Sequence, residues 1–167
     1  MSNKKPGVKT ASPQEGTTLS MVGDTYRILV PGAVSGGEFA SIDMLIPPGG
    51  GPGPHAHPDF HESFYVLEGE VEFVSEEGRF TATRGACVTI PKGGMVHAFK
   101  NKTEQMAHLL CTVVPAGLED LFMELGTPVK PGGFLPPPDM HDPAVAARFA
   151  AAAEKHRQQI FPPDYLD

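Results

Sequence analysis

The chain has no tryptophan and only two cysteines among its 167 residues. Two thiols cannot build the multi-bridge framework of a small secreted domain, and a chain of this length buries a core without one. Cys87 and Cys111 lie in apolar, strand-like runs, "ACVTI" and "HLLCTVV", and are expected to be buried, reduced thiols. No apolar run approaches the roughly 20 residues of a membrane-spanning helix. Positive charge is scarce as well: 13 Lys and Arg against 20 Asp and Glu leave a net charge of -7. That balance argues against non-specific binding to nucleic acid or to an anionic membrane. The opening "MSNKKPGVKTASPQEG" has positive charge but no apolar stretch of the secretory type, so the cytoplasm is the expected location.

Glycine (19) and proline (18) are abundant. Many turns and short elements follow, which favours an all-β architecture over a helix bundle. Residues 1–24 are polar, with Pro, Gly, Ser and Thr scattered through them, and are expected as a flexible or loosely docked N-terminal arm. Strand-like runs then alternate with turn signals: "TYRILV" (25–30), "EFASIDMLI" (38–46), "SFYVLEG" (63–69), "EVEFVSEEG" (70–78), "RFTATRG" (79–85), "ACVTIPKGG" (86–94), "VHAFKN" (96–101) and "QMAHLLCTVVP" (105–115). Their regular spacing predicts a β-sandwich or barrel over 25–115. In the second run Ile42, Met44 and Ile46 share one face. After Pro115 the character changes. "GLEDLFMELG" (117–126) predicts a short helix ended by Gly126. A Pro-rich link follows, too aperiodic for a strand. "DPAVAARFAAAAEKHRQQ" (142–159) predicts the clearest helix, with Asp142 as N-cap and Pro143 at its first position. Residues 116–167 are therefore expected as a helical C-terminal extension.

The densest chemistry is "PHAHPDFHE", residues 54–62, which holds three of the seven histidines. His55 and His57 are two apart, so in extended chain both imidazoles point to one side. Glu62 follows a bend and opens the next strand, where a hairpin can return it beside them. His97 opens another strand after the Pro-Gly turn of "PKGGMVHAFKN" and can supply a fourth ligand. Imidazole and carboxylate together suit iron, manganese, nickel, cobalt, copper or zinc. His61 is adjacent to Glu62 and is expected to point the other way. His108, on the face of Met106, Leu110 and Thr112, is expected to line the core or a cavity. His141 and His156 are expected to be solvated, as is the acidic group Glu68, Glu70, Glu72, Glu76 and Glu77. Phe64, Phe73, Phe99 and Met44 are expected in the core, some of them lining a cavity.

These residues resemble the two motifs of the cupin superfamily. The first runs glycine, five residues, His-x-His, three or four residues, Glu, six residues, Gly; Gly49, His55, His57, Glu62 and Gly69 fit every spacing. The second runs glycine, five residues, Pro-x-Gly, two residues, His, three residues, Asn. Gly85, Pro91, Gly93, His97 and Asn101 fit it, except that three residues separate Gly93 from His97. The resemblance covers residues 49–101. It implies a cupin-type jelly-roll β-barrel holding one divalent transition metal through His55, His57, Glu62 and His97. The tail is similar in style to that of quercetinase-like single-domain cupins, which implies a metal-dependent dioxygenase acting on a phenolic, flavonol-like or dicarbonyl small molecule, with Glu62 as catalytic base. An isomerase or cyclase on a sugar or polyketide, and a non-catalytic small-molecule-binding module, are the alternatives on the same fold. Open sheet edges, together with what is usual for single-domain cupins, imply a homodimer.

Overall fold

In the computed structural model, which describes residues 7–167, the short runs become strands that pack as two antiparallel sheets. In chain order the elements are β1 (Thr17–Met21), β2 (Asp24–Val30), α1 (Gly32–Ser35), β3 (Ala40–Ile46), β4 (His55–Ala56), β5 (His61–Glu68), β6 (Glu70–Ser75), β7 (Gly78–Thr83), β8 (Cys87–Ile90), β9 (His97–Lys100), β10 (Ala107–Val114), α2 (Leu118–Leu125), β11 (Thr127–Pro128), α3 (Pro143–Lys155) and β12 (Gln159–Ile160). The larger sheet runs β11-β1-β2-β3-β10-β5-β8 and the smaller β12-β4-β9-β6-β7. The chain is all-β with a small helical C-terminal part.

Period-2 alternation sets the inner face. Ile42, Met44 and Ile46 of β3 are buried, as expected, while Ser41, Asp43 and Leu45 are only partly covered. Across the larger sheet Ile42 faces Cys111, and Cys111 faces Phe64. Phe64 then meets Phe73 and Phe99 from the smaller sheet, with ring centroids 5.3 and 5.5 Å away. One aromatic cluster thus ties the two sheets together, as tilted and edge-on ring pairs do.

The two motifs meet at the barrel end. Gly49 N–H donates to Asn101 O and Asn101 N–H to Gly50 O. The buried Asn101 amide donates to Ile46 O at 2.9 Å and Gln105 O at 2.6 Å. The extra residue before His97 is absorbed where Gly93 and Gly94 take φ of 128° and 87°, a left-handed bend open to glycine and costly for other residues.

In the C-terminal part, Leu118, Leu121, Phe122 and Leu125 of α2 are buried on one face. Gly126 ends the helix, as expected. A Cβ there would lie 2.7 Å from Phe122 O and 2.8 Å from the Leu19 side chain. Asp142 caps α3 by accepting from Ala144 N–H at 2.8 Å, with Pro143 at its start.

Several expectations are corrected. The polar stretch through residue 24 is not an arm along its whole length: Thr17–Met21 pairs with β2 from Thr17↔Ile28 to Met21↔Asp24 and with β11 through Leu19 and Ser20. Residues 1–6 of the expected arm lie outside the described residues. Cys111 is buried but Cys87 is exposed, because β8 is an edge strand. The Pro-rich link contributes the two-residue strand β11, and the helix expected over 142–159 stops at Lys155, with Gln159 joining Ile160 in β12 beside β4. His108 lies on the outer face of β10, against Asp43, because Leu109, Cys111 and Val113 take the inner positions.

Candidate metal centre and its cavity

β4 and β9 are neighbours in the smaller sheet, and their register sets His55 opposite His97. His57 follows directly after β4. Glu62 is on β5 of the larger sheet, between Val113 and Ile90. The four side chains converge from both sheets, and each offers a ligand atom within 4.8 Å of the others. All four are buried. The imidazole centroids are 4.3 Å apart for His55–His97, 4.9 Å for His55–His57 and 5.7 Å for His57–His97.

Hydrogen bonds orient two of the three rings through Nδ1. His55 Nδ1 lies 2.8 Å from Gly53 O and His97 Nδ1 lies 2.9 Å from Met95 O. A carbonyl can only accept, so Nδ1 carries the proton and Nε2 keeps its lone pair for a cation. His97 Nε2 is 3.1 Å and His57 Nε2 3.5 Å from Glu62 Oε2. Among the described residues, His57 Nδ1 is a buried nitrogen without a hydrogen-bond partner. Burial, with the neighbouring His97 and His57, pushes His55 down to about 3. Burial likewise holds His57 below its ordinary value, against the pull of Glu62. Burial works to raise Glu62, but His57, His97 and His55 outweigh it and hold the carboxyl at about 2. A neutral imidazole beside an ionised carboxylate, as for His55 and Glu62, is the protonation state that metal ligation requires. This donor set fits a divalent transition ion and could hold one.

His55, His57 and Glu62 of the cluster form part of the wall of a cavity of about 410 Å³. Phe64, Phe99 and Met44 supply apolar wall from the sheets; Leu121 and Phe122 come from α2, and Phe149, Ile160 and Phe161 from the C-terminal segment. The C-terminal part therefore covers the barrel mouth.

The expected set His55, His57, Glu62 and His97 is brought together. His61 points outward, as expected, and its Nδ1 accepts from Lys92 N–H at 3.2 Å. His108 is not at the cavity. His141 is exposed, whereas His156 is partly covered and contacts Glu124 at 2.8 Å. Asp24 and Tyr26 also line the cavity. Neither stood out in the sequence, although Tyr26 and Ile28 alternate on the inner face of β2.

Comparison with known proteins agrees with this geometry. The family model for the Cupin domain matches residues 42–113, which include all four clustered side chains. A curated relative, quercetin 2,3-dioxygenase from Aspergillus japonicus, is 29% identical over 109 residues. The match takes in 61% of this chain but 31% of the relative, so the chain spans about a third of that protein's length. Among solved structures, a predicted oxalate decarboxylase from Thermotoga maritima superposes with a TM-score of 0.57 at 21% identity, over 65% of this chain and 99% of that one. Ectoine synthase from P. lautus gives a TM-score of 0.51 at 19% identity, over 68% and 80% of the respective chains. At these identities the two structures speak for the fold alone.

Proposed function

From a chain that belongs to the cupin superfamily, we propose a metal-dependent dioxygenase that cleaves a phenolic, flavonol-like or dicarbonyl small molecule with O2. The observation that carries the reading is the convergence of three histidines and one glutamate, of which His55, His57 and Glu62 stand on the wall of a largely apolar cavity. The quercetin 2,3-dioxygenase relative supports the choice of chemistry.

In this reading His55, His57, Glu62 and His97 hold one divalent transition metal. When bound, such an ion supplies Lewis acidity, which lowers the pKa of a substrate hydroxyl. The remaining work falls to the chain. The apolar walls bind the substrate's ring and exclude water. Gly53 and Met95 carbonyls fix the His55 and His97 rings. Glu62 is the catalytic base that accepts the substrate's hydroxyl proton at a carboxylate oxygen. Desolvation opposes its charge, so it gains proton affinity when its imidazole contacts loosen.

The proposal keeps the protein in the cytoplasm and as a homodimer. Among the described residues no helix is long and apolar enough to cross a membrane. Exposed Tyr65 and Leu67 of β5, beside edge strand β8, support self-association.

The test is oxygen uptake by protein loaded with iron, nickel, cobalt or manganese and given quercetin. The reading expects O2 consumption matched by loss of the flavonol, with both falling at least a hundredfold in Glu62→Gln. Turnover of a sugar or polyketide without oxygen would move the assignment to an isomerase or cyclase. Tight binding without turnover would make the chain a binding module.

A further inference from the structure

Apart from His55, His57 and Glu62, the polar side chains lining the cavity are Asp24, Tyr26 and Gln158, and among the described residues no lysine or arginine lines it. Asp24 and Tyr26 form a pair. Tyr26 Oη donates to Asp24 Oδ2 at 3.2 Å, and Gly51 N–H donates to Asp24 Oδ1 at 3.2 Å. Both residues are buried, at 1% and 5% exposure. Among the described residues Asp24 has no ion-pair partner. Burial pushes its carboxyl up to about 7, so near neutrality it can be a neutral acid and offer a proton as well as lone pairs.

The contact with Gly51 gives Asp24 a structural task, since Gly51 belongs to the loop that leads to His55. It does not account for the Tyr26 hydroxyl. The Tyr26 ring already packs edge-on against Phe122 at 5.0 Å, a role that phenylalanine would fill equally well. The hydroxyl oxygen retains lone pairs after donating to Asp24. The pair also lies apart from the metal ligands along the sheet. Tyr26 is in register with Met44, Leu109 and Val66, whereas Glu62 shares its row with Val113 and Ala40, four residues along β5.

We propose that Asp24 and Tyr26 form a second polar pole of the cavity, a specificity-determining pair that hydrogen-bonds a hydroxyl of an uncharged aromatic substrate whose chelating end lies at His55, His57, Glu62 and His97. A phosphorylated or carboxylated group at this pole is disfavoured, because among the described residues no cationic side chain lines the cavity to pair with its charge. A buried polar site selects strongly for the group it was built to meet, because the analogue that lacks it leaves the site unpaired. The orientation of the substrate rests on the proposed function; the polar pair itself does not.

The test is a fluorescence titration of the metal-loaded protein with 3-hydroxyflavone, 3,4′-dihydroxyflavone and 3,7-dihydroxyflavone. The wild type is expected to bind one of the dihydroxy probes roughly tenfold more tightly than 3-hydroxyflavone. Tyr26→Phe, which keeps the ring packing, is expected to erase that preference. Asp24→Asn, which keeps an acceptor for Gly51, is expected to reduce it. Equal binding of all three probes by the wild type, or a preference that survives Tyr26→Phe, overturns the inference and leaves the dioxygenase reading standing. No binding of any probe by the wild type overturns both.

Discussion

Asp24 shows how one buried group couples the cavity to stability. Its carboxyl is displaced from 3.8 to about 7, chiefly by burial, against the pull of Tyr26, Gly51 and Lys100. Between those values the folded protein keeps a proton that the unfolded chain has released. Stability from this group is therefore greatest below about pH 4 and falls as pH rises to about 7, by up to about 4 kcal/mol, and is then level. Asp24→Asn removes this pH dependence. Urea melts of wild type and variant at pH 4.5, 6 and 7.5 are expected to show the variant gaining relative stability as pH rises. A difference that stays constant with pH would show that Asp24 is ionised throughout. Asp43 behaves in the opposite sense. Burial would raise it, but His108 and Arg27 hold it below its ordinary range, and Arg27 reaches it at 2.8 Å.

At the scale of elements, α3 and β12 close the cavity with little anchorage. Glu124 at the end of α2 accepts from Lys155 at 2.6 Å and from His156 at 2.8 Å, and Arg148 donates to Glu124 O at 2.8 Å. β12 adds a two-residue pairing with β4, and Arg157 meets Asp59 at 2.9 Å. Lys155 first, then His156, holds the Glu124 carboxyl below its ordinary value. That contribution is present above the usual carboxylate range and is lost as pH falls through the lowered value. Glu124→Gln is expected to speed amide exchange across Pro143–Lys155 severalfold and to leave β3, β5 and β10 unchanged, as read by hydrogen–deuterium exchange. Uniform speeding of the barrel would mean that the segment is part of the core rather than a cover.

The same elements explain what the sequence could and could not disclose. Strands β3, β5 and β6 follow a clean alternation because one face is apolar core. The helix over 143–155 was legible because capping, proline placement and alanine content agree. β1 hid because Thr18 and Ser20 are buried polar residues, so "TTLSM" lacks an apolar alternation. β12 hid because its pairing is long-range and two prolines follow it. Cys87 was misplaced because an apolar pentapeptide does not say that its strand is an edge. The four clustered side chains were legible because their spacing is tied to a hairpin and a glycine turn. The Asp24–Tyr26 pair was not, since only tertiary packing carries it to the cavity.

For the whole molecule, the central feature is that His55 and His97 come from one sheet and Glu62 from the other. A cation held there would bridge the two sheets, and its binding energy would add to folding stability. Removing a bound metal with a chelator is expected to lower the melting temperature by roughly 5–10 °C, from about 2.7 kcal/mol at a hundredfold excess of metal over Kd. His57→Ala is the sharpest control. His57 Nδ1 has no hydrogen-bond partner among the described residues, so its loss breaks no hydrogen bond to the backbone. Elemental analysis of the purified, untagged protein beside His57→Ala, both checked for a native circular dichroism spectrum, is the most direct measurement. About one equivalent of a transition metal in the wild type, lost in the variant, is the predicted result. A wild type that holds no metal even after reconstitution would contradict the metal centre and the dioxygenase built on it.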